Sequence, residues 1–252
     1  MYITIMPSTP KIHRPTAATL LALAALAVIA AGCGKTAVRK GAAPVADTVQ
    51  IAMTTIDNGD GTFTDTRDGK TYRTVGIGKL TWMAENLNFV TDSSVCYDND
   101  ESNCQKYGRL YNWNDATTAC PAGWRVPSEE DWDSLALAVG GQRVEDGYGD
   151  YYWEVAGKKL KSTTGWKGRD GNLVSGNGTD DFGFAALPGG SRWSGSFYNI
   201  GYSGYWWSAA EGDASRAWGR SMYYNYDNVD RYYFDKTDLF SLRCLQDSAD
   251  LR

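Results

Sequence analysis

The side chains through which this sequence could do chemistry are carboxylates, cysteines and aromatic rings. Its only histidine is His13, close to the N-terminus. A Ser-His-Asp or Cys-His nucleophilic site and a zinc site with histidine ligands are therefore excluded from the remainder of the chain. A glycosidase needs two carboxyl groups about 5 to 9.5 Å apart, and the sequence fixes no such pair. The residues that could supply one of them are Glu129, Glu130, Glu154, Asp180 and Asp181.

Aromatic rings concentrate between residues 193 and 234. Such rings stack on sugars and on protein surfaces, and tyrosine and tryptophan anchor many binding sites. A fold with few long elements also fills its core with rings, so we expect about two thirds of this set to be packing residues. Trp206, Trp207 and Trp218 belong to that group. The ligand-binding candidates are the rings beside glycine and serine, where a loop would expose them: Trp193, Tyr198 and Tyr202.

Three polar residues precede these rings in a glycine-rich loop. Asn177, Asp180 and Asp181 would bring amide and carboxyl groups to the same end of the domain, so they join the ligand-binding candidates. Asp181 is better interpreted as the cap of a turn, because aspartate side chains bond nearby backbone groups. The acidic turn at 58–61 lacks the alternating oxygen ligands of an EF-hand loop. We therefore predict no metal and no cofactor.

The first 32 residues have the order of an export signal. A segment with Lys11 and Arg14 precedes an apolar run over residues 17–31, which is shorter than the roughly 20 residues that cross a bilayer. The small residues at 30–32 resemble a lipobox, which implies cleavage before Cys33 and a lipid anchor on it. An ordinary secretory signal with an incidental cysteine is the alternative. We expect residues 1–32 to be a signal peptide and the protein to reside in the cell envelope, at the outer membrane or cell surface.

The charge of the exported part limits its partners. Lys11 and Arg14 leave with the signal, so 23 of the 25 basic residues remain against 30 acidic ones, a net charge of −7. This charge repels nucleic acid and anionic head groups. The expected partners are the membrane, through the lipid, and a polysaccharide, glycan or surface protein. No nucleic-acid partner is expected.

Four cysteines follow Cys33, and an even number in an exported chain predicts two disulfides. The sequence alone allows three pairings. The short spacing between Cys96 and Cys104 favours a small closed loop, which leaves Cys120 to pair with Cys244.

The pattern along the chain predicts a tether, one domain and a tail. Residues 33–55 are rich in Ala, Thr, Val and Lys without a period, which is typical of a flexible tether. Runs at 62–66 and 71–77 flank Arg67-Asp68-Gly69-Lys70 and predict a β-hairpin. The stretch from residue 148 to 245 indicates loops with short strands. Residues 56–246 fit one domain, and 247–252 form the tail.

Two helices are predicted, because apolar spacing and end signals agree. Trp113, Ala116, Thr117 and Cys120 recur at helical spacing up to Pro121, which places Cys120 in the last turn. The second helix has Ser128 as N-cap, with Asp131 completing a capping-box variant. Its buried stripe and its terminator are Trp132, Leu135, Ala136, Val139 and Gly140-Gly141.

Several motifs in order resemble the Fibrobacter succinogenes major paralogous domain, from about residue 56 to 246. The first half of the resemblance comprises Phe63-Thr64-Asp65, Arg67-Asp68-Gly69-Lys70-Thr71-Tyr72, Thr81-Trp82-Met83-Ala84-Glu85-Asn86-Leu87-Asn88 and Tyr107-Gly108-Arg109-Leu110-Tyr111-Asn112-Trp113. The second half comprises Cys120-Pro121-Ala122-Gly123-Trp124-Arg125-Val126-Pro127-Ser128, Gly157-Lys158-Lys159-Leu160-Lys161-Ser162, Asp181-Phe182-Gly183-Phe184-Ala185-Ala186-Leu187-Pro188-Gly189-Gly190 and Leu242-Arg243-Cys244-Leu245. The family occurs on exported bacterial proteins and has no established activity.

The resemblance implies a fold related to C-type lectin-like domains, in which a helix of the form Trp-x-x-Ala-x-x-x-Cys is bridged to the last strand. Trp113, Ala116 and Cys120, with Cys244 as partner, fit that plan. The triplet Trp113-Asn114-Asp115 matches the calcium-binding triplet of true lectins in letters only, because theirs lies on a late strand. A calcium-dependent sugar site is therefore not implied.

These observations together predict an α+β, C-type lectin-like domain with two helices, short antiparallel strands, long loops and two disulfides. The predicted function is a surface-anchored, non-catalytic binding or adhesion module for polysaccharide or glycan. The alternatives are a carboxylate-dependent glycoside-processing enzyme and a structural surface or assembly protein.

Overall fold

The structure is a computed structural model that describes residues 55–147, 150–168 and 175–247. The predicted signal peptide, Cys33 and the predicted tether up to residue 54 lie outside these ranges, as do residues 248–252. The lipid anchor thus stays a prediction. No helix within the described ranges is long and apolar enough to cross a membrane.

The described residues form an α+β domain in which strands predominate. Its helices are α1 (Glu101–Tyr107), α2 (Trp113–Ala119), α3 (Glu129–Ala138) and α4 (Ala156–Leu160), with a short 3-10 turn at Tyr97–Asn99. Its first eight strands are β1 (Thr55–Asp57), β2 (Thr62–Asp65), β3 (Lys70–Ile77), β4 (Leu80–Met83), β5 (Leu110–Tyr111), β6 (Trp124–Arg125), β7 (Gln142–Glu145) and β8 (Tyr151–Glu154). The remaining strands are β9 (Ser191–Trp193), β10 (Ser196–Tyr198), β11 (Ser203–Glu211), β12 (Arg216–Tyr223), β13 (Val229–Asp235), β14 (Phe240–Ser241) and β15 (Leu245–Gln246).

Both predicted helices are confirmed. The Ser128 hydroxyl accepts from the backbone N–H of Asp131, whose carboxylate accepts from the backbone N–H of Ser128, so the capping box of α3 is complete. In α2 the helix ends at Ala119, and Cys120 has an extended backbone. Cys120 is thus just past the last turn rather than in it, because the residue before a proline disfavours the helical region.

The prediction of only two helices is wrong, since α1 and α4 are also present. Helix α1 begins at an N-cap, Asp100, whose carboxylate accepts from the backbone N–H of Ser102. Its buried side chains are Cys104 and Tyr107 alone. Helix α4 spans five residues after Val155, which has a left-handed backbone. Helix α4 is too short to show an apolar period, and α1 has only two buried side chains to define one.

The predicted hairpin is confirmed as β2 and β3, with Phe63 opposite Tyr72. It belongs to a six-stranded sheet of order β1-β2-β3-β4-β15-β6. The last strand therefore lies beside β4, which is far from it in sequence.

The prediction of short strands after residue 148 is wrong, because β11, β12 and β13 have nine, eight and seven residues. They form the centre of a seven-stranded sheet of order β5-β14-β11-β12-β13-β8-β7. The first six residues of β11 are all buried. Because both faces of this part of the strand are covered, burial does not alternate along it as it would in a half-exposed strand.

Each face of the seven-stranded sheet supports part of the core. On one face Trp206 contacts Trp132 of α3, with ring centroids 6.4 Å apart. On the other face Tyr205, Trp207 and Phe240 pack into a second cluster.

Trp206 and Trp207 are fully buried, as expected of core residues. Trp218 is half-buried, with the guanidinium carbon of Arg231 3.3 Å from its ring centroid.

Both predicted disulfides are present. Cys96 is bonded to Cys104, and Cys120 is bonded to Cys244 with a Cα–Cα distance of 5.9 Å. The second bridge joins the end of α2 to the residue before β15. It therefore links two elements that are 124 residues apart in the chain.

Candidate binding site

Strand alternation places a set of rings on the face of the seven-stranded sheet opposite α3. Trp206 points toward α3, so Tyr205 points the other way. There the Tyr205 ring stacks on Phe240 with centroids 5.1 Å apart, and Phe234 meets Phe240 edge-on at 4.7 Å. Phe234 lies over Gly219, where an added Cβ would be 3.3 Å from the ring. The small residue on β12 thus makes room for the ring from β13.

The β9–β10 hairpin extends this aromatic surface into a pocket. Its turn contains Ser194 and Gly195, both with positive φ. Trp193 precedes the turn and Tyr198 ends the returning strand, with their ring centroids 5.0 Å apart and perpendicular. The aromatic pocket has a volume of about 200 Å³ and is lined by Ser191, Trp193, Asn199, Tyr205, Tyr223, Phe234, Asp238 and Phe240.

Two predicted residues therefore meet at this pocket. Trp193 is 51% exposed and Tyr198 is 37% exposed. A large ring that stays open to solvent, held by an edge-on neighbour, presents a fixed apolar face to a ligand. Trp193 forms part of the lining, and Tyr198 supports it from the side.

Polar groups of the pocket are an amide, hydroxyls and one carboxyl. Burial, with a further contribution from the Asp235 carboxylate, raises the pKa of Asp238 to about 6. Burial also raises the pKa of Tyr223, so its hydroxyl stays neutral. Asn199 is exposed beside them with a positive φ. The arrangement can stack a ring-shaped ligand and bond its polar groups.

The third predicted ring, Tyr202, does not line the aromatic pocket. It is 45% exposed and meets Tyr224 edge-on, with centroids 5.3 Å apart. The Lys167 ammonium lies 6.0 Å from its ring centroid. Tyr202 is thus an exposed ring outside the site.

The polar residues of the preceding loop also lie elsewhere. Asn177 is held internally, because its side-chain oxygen accepts from the backbone N–H of Trp166 and its carbonyl accepts from Lys158. The carboxylate that closes the turn belongs to Asp180, which accepts from the backbone N–H of Ala185. Asp181 is exposed. The cap of this turn is therefore Asp180, one residue before the predicted Asp181.

Asp180 lines a second and larger cavity, the polar cleft, of about 600 Å³. Glu85 lies in the same cleft and accepts from the backbone N–H and the guanidinium of Arg73. Burial raises the pKa of Asp180. The hydrogen bond from the backbone N–H of Ala185 and the positive charge of Arg243 act in the opposite direction, but their effect is smaller. Lys70 and Lys106 add positive charge to its lining.

A fully buried arginine stands behind the polar cleft. The Arg243 guanidinium donates to Asn86 Oδ1 and to the carbonyls of Phe184 and Ala185. Burial lowers the pKa of Arg243 to about 9. Trp206 Nε1 donates to the same Asn86 oxygen at 2.9 Å. Residues from three of the family-like motifs therefore join the two sheets, and their role here is structural.

The other carboxylates considered for catalysis do not join Asp180. Glu129 binds Arg220 at 2.8 Å and Arg231 at 2.5 Å. Glu130 accepts from the Ser128 hydroxyl at the start of α3. Glu154 is exposed on β8. Glu85 shares the cleft with Asp180. Nothing in the sequence indicated it as a candidate for catalysis, apart from its place in one of the family-like motifs.

Two groups of residues resemble metal ligands in type, one found in the structure and one in the sequence. Cys96, Cys104 and Glu101 lie close together, but the two sulfurs are bonded to each other. The triplet Trp113-Asn114-Asp115 starts α2, as expected, and Asp115 accepts from Thr91 and from the backbone N–H of Ser93.

Comparison with known families gives one match. The model for the Fibrobacter succinogenes major domain matches residues 75–246. The match begins within β3, so β1 and β2 precede it, and it includes the aromatic pocket and most of the polar cleft. Comparisons with curated proteins and with solved structures give no significant match. The matched region is more than half of the chain, and the chain therefore belongs to the Fibrobacter succinogenes major domain family.

Proposed function

We propose that this protein is a non-catalytic binding module that takes a carbohydrate in the aromatic pocket. The observation that carries the proposal is the exposed Trp193 ring, held edge-on by Tyr198 over an aromatic floor. Sugar rings have apolar faces that stack on such surfaces, and the hydroxyl, amide and carboxyl groups beside them suit the sugar's edges.

A double substitution tests the site. Each ring contact contributes about 0.5 to 1.5 kcal/mol beyond area burial, so Trp193→Ala with Tyr198→Ala should weaken binding by about 1 to 3 kcal/mol, or roughly 5- to 150-fold in Kd. Glycan arrays and insoluble polysaccharides first identify the ligand for the purified full-length protein. Calorimetry then compares wild type, the double variant and a control, Tyr233→Ala. The Tyr233 ring is exposed beside Trp218, on the face of the seven-stranded sheet opposite the aromatic pocket.

Folding is measured alongside, because exposed substitutions change stability by about 0.5 kcal/mol or less. Full affinity in a folded double variant would contradict the proposed site. If the protein binds no glycan, the proposal of a carbohydrate ligand is contradicted and the structural or assembly role is favoured. Loss of binding in chelator would show a calcium dependence that the proposal does not contain.

We further propose that the protein is a lipoprotein of the cell envelope, at the outer membrane or cell surface. The support is the apolar run that ends in Ala30-Ala31-Gly32-Cys33, together with disulfides, which persist in oxidising compartments. Cys33→Ser should abolish metabolic lipid labelling and release the protein from membranes. Membrane association that survives this substitution, with an unmodified N-terminus in wild type, would refute the anchor.

The fold we propose is C-type lectin-like. Its support is a helix of the Trp-x-x-Ala-x-x-x-Cys form whose cysteine is bridged next to the last strand. An experimental structure with a different strand topology would contradict it.

A second candidate function is glycoside cleavage in the polar cleft, favoured by Asp180 and Glu85 sharing one cavity. A carboxyl group with a raised pKa suits a general acid, and an ion-paired carboxylate suits its partner. Release of reducing sugar by the full-length protein, lost in both Asp180→Asn and Glu85→Gln, would support this function over simple binding. Absence of release from every bound glycan would exclude it for those glycans.

A further inference from the structure

The carboxyl group of the aromatic pocket has no cation to neutralise it. Among the described residues, the Asp238 side chain makes no hydrogen bond and no ion pair, and the nearest influence on its charge is another acid, Asp235. An unpaired carboxyl that is half-buried is costly to ionise, and a ligand that compensates it gains accordingly. The pocket is thus built for a partner that the protein itself does not supply.

The lining of the pocket carries no positive charge. It consists of aromatic, amide, hydroxyl and carboxyl groups. The nearest basic residues in sequence are directed elsewhere: Arg192 lies over Phe197, and the Lys236 ammonium bonds Glu211 and lies over Trp113. Ring faces and an unpaired carboxylate together produce a negative potential, which attracts a cation.

The size of the pocket limits the group that enters. Its volume of about 200 Å³ is below the range of about 300 to 1,000 Å³ that is usual for drug-sized ligands. One ring or one compact head group fits. A neutral sugar would also stack its ring and form hydrogen bonds through its hydroxyls, but only an ammonium group adds a charge-assisted bond to Asp238 and a cation–π contact with the rings.

We propose that the aromatic pocket selects a sugar unit with a free, protonated amine, whose ammonium group pairs with Asp238 while its ring stacks on Trp193. This inference rests on the proposed carbohydrate-binding function and adds the chemical class of the ligand. Asp238 becomes the residue that determines specificity, and Trp193 contributes affinity to charged and neutral sugars alike.

Three oligosaccharides of equal length and β-1,4 linkage test the charge: glucosamine, N-acetylglucosamine and glucose oligomers. Calorimetry with the purified full-length protein at neutral pH should give at least about tenfold tighter binding for the glucosamine oligomer. Asp238→Asn should remove that preference and retain the neutral affinities. Asp92→Asn, which removes the same charge from an exposed position, should behave as wild type.

The outcomes separate this inference from the function beneath it. Equal binding of the three oligomers, or a preference that survives Asp238→Asn, overturns the amine specificity and leaves carbohydrate binding intact. A preference reduced equally by Asp92→Asn identifies general attraction to the acidic protein and also overturns it. Binding of none of the three refutes the amine proposal and counts against the carbohydrate function.

Discussion

Asp230 illustrates how one carboxyl group makes stability depend on pH. It is half-buried on β13, and its side chain bonds Asn228. Burial raises the pKa of Asp230 to about 6, whereas the unfolded chain has a value of about 3.9. Between about pH 4 and pH 6 the folded state therefore holds a proton that the unfolded state has released, and the contribution of this group to stability falls as pH rises.

Replacing Asp230 with asparagine should stabilise the protein at neutral pH. The amide has a similar shape and no charge, so Asp230→Asn should raise the free energy of unfolding by about 1 to 3 kcal/mol at pH 7.5. The gain should vanish near pH 3.5, where Asp230 is protonated in both states. Urea denaturation of both proteins at the two pH values measures it. A gain of equal size at both values, or the same gain in Asp92→Asn, would contradict the explanation.

At the scale of elements, α3 shows how a local signal fixes a boundary. Its first turn contains three acids, which the positive end of the helix dipole favours. Asp131 also pairs with Arg125 of β6. The capping box therefore fixes the start of the helix and ties it to the neighbouring sheet.

Removal of the cap should destabilise the domain. Ser128→Ala leaves the backbone N–H of Asp131 without its side-chain acceptor, and should lower the free energy of unfolding by about 1 kcal/mol. Ser134→Ala is the matched control, because Ser134 is exposed in the middle of α3 and alanine has the better helix propensity. Equal stabilities of the two variants would show that the cap contributes nothing.

Elements with their own local signals could be predicted, and those that depend on distant contacts could not. Helices α2 and α3 and the β2–β3 hairpin have periodicity, caps and a turn sequence that agree. Helix α4 and strand β11 have none of these. Helix α4 is held by distant contacts such as the hydrogen bond from the backbone N–H of Lys158 to the carbonyl of Asp227. The first six residues of β11, which include Ser203 and Ser208, are buried because both faces of this part of the strand are covered.

At the scale of the whole molecule, the aromatic pocket combines segments that are far apart in the sequence. Trp193 and Tyr198 could be predicted, because glycine and serine next to a ring indicate an exposed turn. Tyr205, Phe234 and Asp238 could not. Their meeting depends on the register of β11, β12 and β13, and a shift of one residue would turn every ring to the opposite face.

The two disulfides should differ in their effect on stability. By chain entropy, the bridge over 124 residues contributes about 5 kcal/mol and the bridge over 8 residues about 2.5 kcal/mol. The double variant Cys120→Ala with Cys244→Ala should therefore lose more stability than Cys96→Ala with Cys104→Ala. Denaturation of the three proteins with urea gives the comparison. Equal losses, or a larger loss for the short loop, would contradict the entropic account.

The long bridge also determines how the domain would respond to mechanical load. A pull between residues 55 and 247 reaches Cys120 and Cys244, and the covalent bond carries the force directly from one to the other. The 124 intervening residue steps then bear no tension and cannot be drawn out, which shortens the full extension by roughly 400 Å at about 3.3 to 3.6 Å per residue. The aromatic pocket, with all its walls between these cysteines, would be shielded from a force that unravels β1 to β4.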